Sequence, residues 1–361
     1  MAKKLAFDRL LFTVVLVLTI FGLVMVYSAS AAAAVDSDSL WSSFLVKQGA
    51  AAVLGLLAMA VVMHVDYRTL SRPVVVYTLL SGVLVLLVAV LFAPTLNETQ
   101  RWLFLGPVSV QPSELAKLAL VPFLAYQVDK KLDRVNEPQL LVPCAVVSAL
   151  LAGLILLQPD LGTAVLLMAT AGAVLFLAGL SWRWLIGAGA VLLPVLWLLV
   201  INVPYRRARL LSFLHPEADP QGSGYQALQS LIAIGSGGLF GRGLGQGVQK
   251  LHYLPHPQSD FIFSIVAEEL GLLGALTVVV LFSIFLWRGV AAGWSAPDAF
   301  GRYLGWGFTL VVAVQALLNI GVAVAMLPTK GIPLPFVSYG GSSLVVSLTA
   351  CGVILNVSQH G

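Results

Sequence analysis

The sequence predicts an all-α, polytopic integral membrane protein of about ten transmembrane helices, with a large extracytoplasmic loop between helices 7 and 8. Three observations predict it. Of 361 residues, 59% are hydrophobic and only 10% are charged, whereas a soluble domain is roughly 25% charged. The mean hydropathy is +0.95. The apolar residues also fall in runs of about 20, the length at which a helix crosses a bilayer. Residues 1–361 read as a single transmembrane domain, without internal repeat, low-complexity segment or soluble module.

The first run, about 10–30, follows MAKKLAFDRL and ends near SASAAAAV, which imitates a secretory signal and its small-residue cleavage site. It is long for a signal and nine more runs follow, so a retained helix is expected. The next runs lie at about 44–64, 73–93 and 113–128, the last of them short. Those at about 140–157, 160–180 and 182–203 are separated only by QPD and SWRW. The final three lie at about 261–287, 299–326 and 341–358. An even number of crossings leaves both termini on one side. With that side cytoplasmic, the short inner segments carry Lys3, Lys4, Arg9, Arg68, Arg72, Lys130, Lys131, Arg134, Arg183, Arg288 and Arg302, and short outer ones carry few cations. The positive-inside bias fixes this orientation. The segment of about 204–260 is basic, with Arg206, Arg207, Arg209, Arg242 and Lys250, but long loops escape that bias. Cys144 and Cys351 sit in separate apolar runs and read as small core residues.

HPQSDFIFSIVAEELG, residues 256–271, places one carboxylate at the mouth of the eighth helix and two inside it. Pro255 and Pro257 exclude helix before Ser259, so the helix is expected to start near Asp260 at the outer face, where an aspartate suits an N-cap. At 100° per residue, Asp260, Ser264, Ala267, Glu268, Gly271 and Ala275 share a face, with Glu269 roughly opposite. Glu268 and Glu269 read as buried charges that hold helices together. Asp260 borders water and lipid and is the candidate catalytic residue. His252, His256 and Asp260 are spaced by four, but the prolines prevent a shared helical face, which argues against a metal triad.

A second polar cluster is NETQRWLFLGPVSVQPSELAKLAL, residues 97–120. Arg101 and Trp102 suit an interface, QPSE opens a helix through Gln111 and Ser113, and Glu114 and Lys117 share a helical face and pair. GSGGLFGRGLGQG lacks the strand of a dinucleotide site, yet its backbone N–H groups suit an anion. LPTKGIPLPFVSYGGSS, with Ser338 and Tyr339, reads as a re-entrant loop at the mouth of the tenth helix. Together these stretches describe a membrane-face cavity for a ligand with an anionic head and a lipid tail. Nothing in the pattern points to nucleic acid.

GLVMVYSAS, RWLFLGPVSVQPSELAKL, QPDLGTA with Asp160, GYQALQSLIAIGSGGLFGRGLGQG, LPHPQSDFIFSIVAEELGLLG and LPTKGIPLPFVSYGGSS closely resemble the SEDS family, the polytopic cell-wall polymerases RodA, FtsW and SpoVE. Details such as GVQKLHYLP resemble FtsW more than RodA. One departure is PHPQSD, with Gln258 and Ser259 where relatives often carry a His/Thr pair. The resemblance implies a peptidoglycan glycosyltransferase of the bacterial cytoplasmic membrane that polymerises lipid II on the outer face. It implies division or elongation complexes as the setting and a class B penicillin-binding protein as transpeptidase partner. Asp260 aligns with the family's essential aspartate. Expected substrate contacts are Arg101, Trp102, Gln111, Ser113, Glu114, Lys117, Asp160, His256, Ser259, Ser338 and Tyr339. A divalent cation, Mg or Mn, bridging phosphate and Asp260 is the cofactor expectation. A lipid II flippase using intramembrane charges and a non-catalytic scaffold for the cross-linking partner are the alternatives; clustering of the polar residues on the outer half favours the polymerase.

Overall fold

A computed structural model describes residues 7–35, 40–93, 100–105, 108–214, 224–251, 253–255 and 257–361. In chain order these form α1 (Arg9–Val35), α2 (Leu40–His64), α3 (Pro73–Ala89), β1 (Leu103–Leu105), β2 (Val108–Val110), α4 (Pro112–Lys130), α5 (Pro138–Leu157), α6 (Leu161–Leu177), α7 (Trp182–Ile201), α8 (Pro204–Leu214), α9 (Tyr225–Ser236), α10 (Ile262–Trp294), α11 (Ala299–Ala323) and α12 (Gly341–Ser358). Ten of these helices coincide with the apolar runs, and eight are long and apolar enough to cross a membrane. Of the other two, α6 is shorter at 17 residues and α4 carries Glu114, Lys117, Asp129 and Lys130. The chain is a polytopic, all-α membrane protein.

Local chemistry sets the helix starts. Pro73, Pro112 and Pro138 occupy the first turn of α3, α4 and α5, where the missing N–H costs nothing. Asp160 and Asp298 cap α6 and α11, accepting from the N–H of Thr163 at 3.1 Å and of Gly301 at 2.7 Å. Two features escape the apolar-run pattern. One is the antiparallel hairpin pairing Leu103 with Val110 and Leu105 with Val108. The other is the pair α8 and α9 inside the 204–260 segment, α9 turning Ala227, Ser230 and Ala233 inward at a spacing of three.

Helix α11 is the central post, packed against α4, α6, α10 and α12, while α12 runs closely along α2. That approach needs a glycine, since a Cβ at Gly352 would lie 2.8 Å from the Met59 carbonyl oxygen. Helix α7 is the exception: it buries none of its residues, and its main packing is on α8. Helix α10 breaks at Gly271, whose φ of 68° separates residues 262–270 from 272–294. A side chain there would meet the Gly241 nitrogen at 2.3 Å, so only glycine fits.

Both ends of the described chain meet at one end of the bundle. Asp8 donates its N–H to Ser358 and its carboxylate pairs with Arg288 at 2.6 Å, and His360 packs edge-on against Tyr67. Here Asp298 accepts from the Tyr67 hydroxyl at 2.6 Å and from Arg68 at 3.1 Å. Burial alone would raise the Asp298 carboxyl, but the bonds from Tyr67, Gly301 and Arg68 outweigh it and hold its pKa below the ordinary value. A depressed carboxyl contributes stability that is present above the ordinary value and lost as pH falls through the folded one. Thermal melts of detergent-solubilised protein should therefore fall more steeply below about pH 4 in the wild type than in Asp298→Asn. Parallel acid limbs would remove this anchor.

Candidate active site

At the opposite end of the bundle, three polar clusters line up along α11. The first surrounds Asp260. Residues 257–260 form turns, and α10 begins at Ile262 with Phe261 as its N-cap. Asp260 is therefore not the helix cap expected from its position. Instead the backbone of this turn is fastened to the 331–340 segment. The N–H of Tyr339 donates to Gln258 O at 2.8 Å, the Ser338 hydroxyl donates to Ser259 O at 2.5 Å, and the Asn319 amide donates to Asp260 O at 2.9 Å. The Asp260 side chain stays partly exposed. Its carboxylate lies against exposed Gly331, where a Cβ would stand only 3.3 Å from Oδ2. Tyr339 is half-buried, packed edge-on against Phe44.

The second cluster is Asp160 and its donors. Its Oδ2 accepts from the Thr163 hydroxyl at 2.8 Å, Gln111 Nε2 at 3.4 Å and the Ser113 hydroxyl at 3.5 Å. Arg101 clamps the corner before it, donating Nε to Gln158 O and Nη2 to Pro159 O. Trp102 is half-buried just before β1. Lys330 joins the first two clusters, because it precedes Gly331 in sequence and feels the Asp160 charge. Desolvation lowers its pKa below the ordinary lysine value, Asp160 raises it, and Arg206 lowers it. Arg209 donates to Thr329 O at 3.1 Å, which lays α8 across this segment. A cavity of about 130 Å³ between α6 and α11 opens beside Lys330, otherwise apolar and walled by Val165, Leu318, Val322 and Ile332.

The third cluster is the ion pair on α4. Lys117 Nζ lies 2.7 Å from Glu114 and donates to Gln315 at 2.7 Å, with Lys117 only 2% exposed. Gln315 in turn donates to Pro333 O at 2.8 Å. Lys117 thus serves the helix interface in this conformation and does not reach the cavity that Lys330 lines.

Glu268 and Glu269 are both 0% exposed, and the structure corrects their expected divergence. Both carboxylates face the same glycine-rich loop, residues 241–250. Glu268 accepts from the N–H groups of Val248 and Gln249, at 2.8 and 3.2 Å. Glu269 accepts from the Gly245 N–H at 3.0 Å, from the Ser28 hydroxyl and from Lys250 at 2.7 Å. They converge because the loop wraps the broken end of the 262–270 segment, and Gly247 fits between them. The anion that this loop cradles is internal. The stripe running from Asp260 is likewise covered: Ser264 bonds the Ser230 hydroxyl on α9, which donates to Ala323 O.

His256, like His252, lies outside the described residues. Among the described residues no three His, Cys, Asp or Glu converge on a metal position. One carboxylate at Asp260 suits only an ion held mainly by phosphate oxygens and water. Lys330, Gln315 and Asn319 were not singled out from the sequence. Their signals were a lone lysine in an apolar, proline-rich stretch and two amides four apart on an apolar helix.

Residues 8–361 match the family described as "Cell cycle protein", of FtsW, RodA and SpoVE. The probable peptidoglycan glycosyltransferase FtsW of Geobacter metallireducens is 43% identical over 359 residues, covering 98% of this chain and 95% of that protein. Stage V sporulation protein E of Bacillus subtilis is 43% identical over 366 residues, covering 99% and 98%. Among solved structures, a chain of a peptidoglycan synthase complex that coordinates polymerization and crosslinking superposes with a TM-score of 0.80 at 34% identity, covering 98% of both chains. Rod shape determining protein RodA of Thermus thermophilus gives 0.72 at 31% identity, covering 98% and 97%. With a match across nearly its full length, this chain belongs to the FtsW/RodA/SpoVE family.

Proposed function

We propose that this protein is a peptidoglycan glycosyltransferase that polymerises lipid II at the outer face of the bacterial cytoplasmic membrane, with both termini cytoplasmic. The observation that carries this reading is a partly exposed carboxylate, Asp260, pinned through its backbone beside the Lys330–Gly331 segment and an apolar recess. An ammonium beside hydrocarbon matches a diphosphate on a lipid chain. The orientation is supported by the arginines at the end where the termini meet and by the positive-inside bias.

In this reading the sugar 4-hydroxyl of one lipid II attacks the anomeric carbon of another chain, and Asp260 takes its proton. The carbon–oxygen bond to the diphosphate breaks as the new glycosidic bond forms, with inversion at carbon. Lys330, with Arg206 and Arg209 nearby, stabilises the departing diphosphate. Gln111, Ser113 and Asp160 on one side of Lys330, and Ser259, Ser338 and Tyr339 around Asp260, brace the segments on which the sugars would sit, with Arg101 and Trp102 beside the first group; Glu114 and Lys117 hold the helix interface behind them. A Mg²⁺ or Mn²⁺, where one binds, would take Asp260 and phosphate oxygens and neutralise diphosphate charge. The loosely packed α7 leaves a side through which lipid tails enter. A class B penicillin-binding protein is the proposed partner, in keeping with the synthase complex that this fold matches; the FtsW-named relatives point to the division machinery.

Reconstituted protein supplied with lipid II tests this directly, scored separately for glycan chains and for transbilayer movement. Glycan chains are expected. Transbilayer movement without chains would establish the flippase reading instead, and neither activity would leave a scaffold.

A further inference from the structure

We infer that Asn319 is a positioning residue, which sets where the Asp260 carboxylate stands relative to the Lys330–Gly331 segment. This rests on Asp260 being the proton acceptor. Asn319 is 1% exposed on α11, the helix that packs against α4, α6, α10 and α12. Its Nδ2 makes two bonds at once, to Asp260 O at 2.9 Å and to Ile332 O at 2.7 Å, while its Oδ1 is buried without a protein partner. Flipping the amide would aim that oxygen at two carbonyl oxygens, so one orientation alone is favourable. The side chain therefore acts as a two-pronged donor that ties the residue before the α10 cap to the residue after Gly331. Gly331 is in turn the backbone against which the Asp260 carboxylate rests. One turn earlier on the same face, Gln315 holds Pro333 O. Two amides on a rigid helix thus fix the loop, but only Asn319 grips both the base and the cation-bearing segment.

A displacement of about 1 Å at a reacting group costs on the order of 100-fold in rate. Asn319→Leu keeps the branched shape, with two bulkier methyl groups in place of the amide oxygen and nitrogen, and removes both donors. In glycan polymerisation by the reconstituted full-length protein it should lower kcat by about 10- to 100-fold, with KM within twofold and the thermal melt retained. A positioning role also predicts that adding Asn319→Leu to Asp260→Asn lowers the residual rate by a much smaller factor than it lowers the wild-type rate, because no base remains to misplace. A purely structural role would reduce both rates by the same factor. If Asn319→Leu does not fold, Asn319→Ser, which leaves room for a water between the two carbonyls, is measured by the same criteria. Unchanged kcat, a raised KM with kcat intact, or additive losses in the double variant would each overturn the inference. Wild-type activity in Asp260→Asn alone would instead overturn the reading beneath it.

Discussion

Asp260→Asn should lower the rate of glycan polymerisation by about two to four orders of magnitude, the usual contribution of a positioned general base, without changing the fold. The amide keeps the shape and the polarity but cannot accept a proton at neutral pH. The bonds that Tyr339, Ser338 and Asn319 give to Gln258, Ser259 and Asp260 go to backbone carbonyls, so substitution of the Asp260 side chain leaves these three in place. Thermal melting and lipid II binding should stay close to wild type. A variant that polymerises lipid II at nearly the wild-type rate would remove Asp260 from the chemistry. A variant that no longer binds lipid II would reassign it to recognition.

Much of this molecule was readable because a bilayer imposes one strong rule: every backbone group in hydrocarbon must be satisfied within its own segment. Ten apolar runs therefore became ten helices, and Pro112 marked the start of one of them. The short elements were less legible. Residues 103–110 are too few to show a strand period, and α8 and α9, at 11 and 12 residues, are too short for their own sequence to make them stand out as helices. The site was legible as a list of residue types but not as a geometry. Helical-wheel reasoning put Glu268 and Glu269 on different sides because it assumed that nothing wraps the helix, whereas a glycine-rich loop reaches both. It also made Asp260 a cap, since the competing grip of Asn319, Ser338 and Tyr339 comes from residues at least 59 positions away.

The same loop carries the largest expected effect on stability. Glu269 is fully buried and balanced by Lys250, itself 5% exposed, with Ser28 and the Gly245 N–H completing its bonds. Glu269→Leu strands the Lys250 ammonium in a dry site, and losing one partner of a buried pair costs about 3–5 kcal/mol. The loss should be local before it is global, because the loop is held to the bundle by this pair and by the neighbouring bonds to Glu268. Trypsin cleavage after the exposed Arg242 should therefore accelerate well before the bundle melts. Lys250→Met alone should be comparably harmful, since it leaves the carboxylate unpaired. The double variant should recover most of the difference, because two apolar groups need no compensation where two charges did. Equal cleavage rates across all four proteins would mean that the loop is held by its backbone bonds to Glu268, and that the pair beneath it contributes only packing.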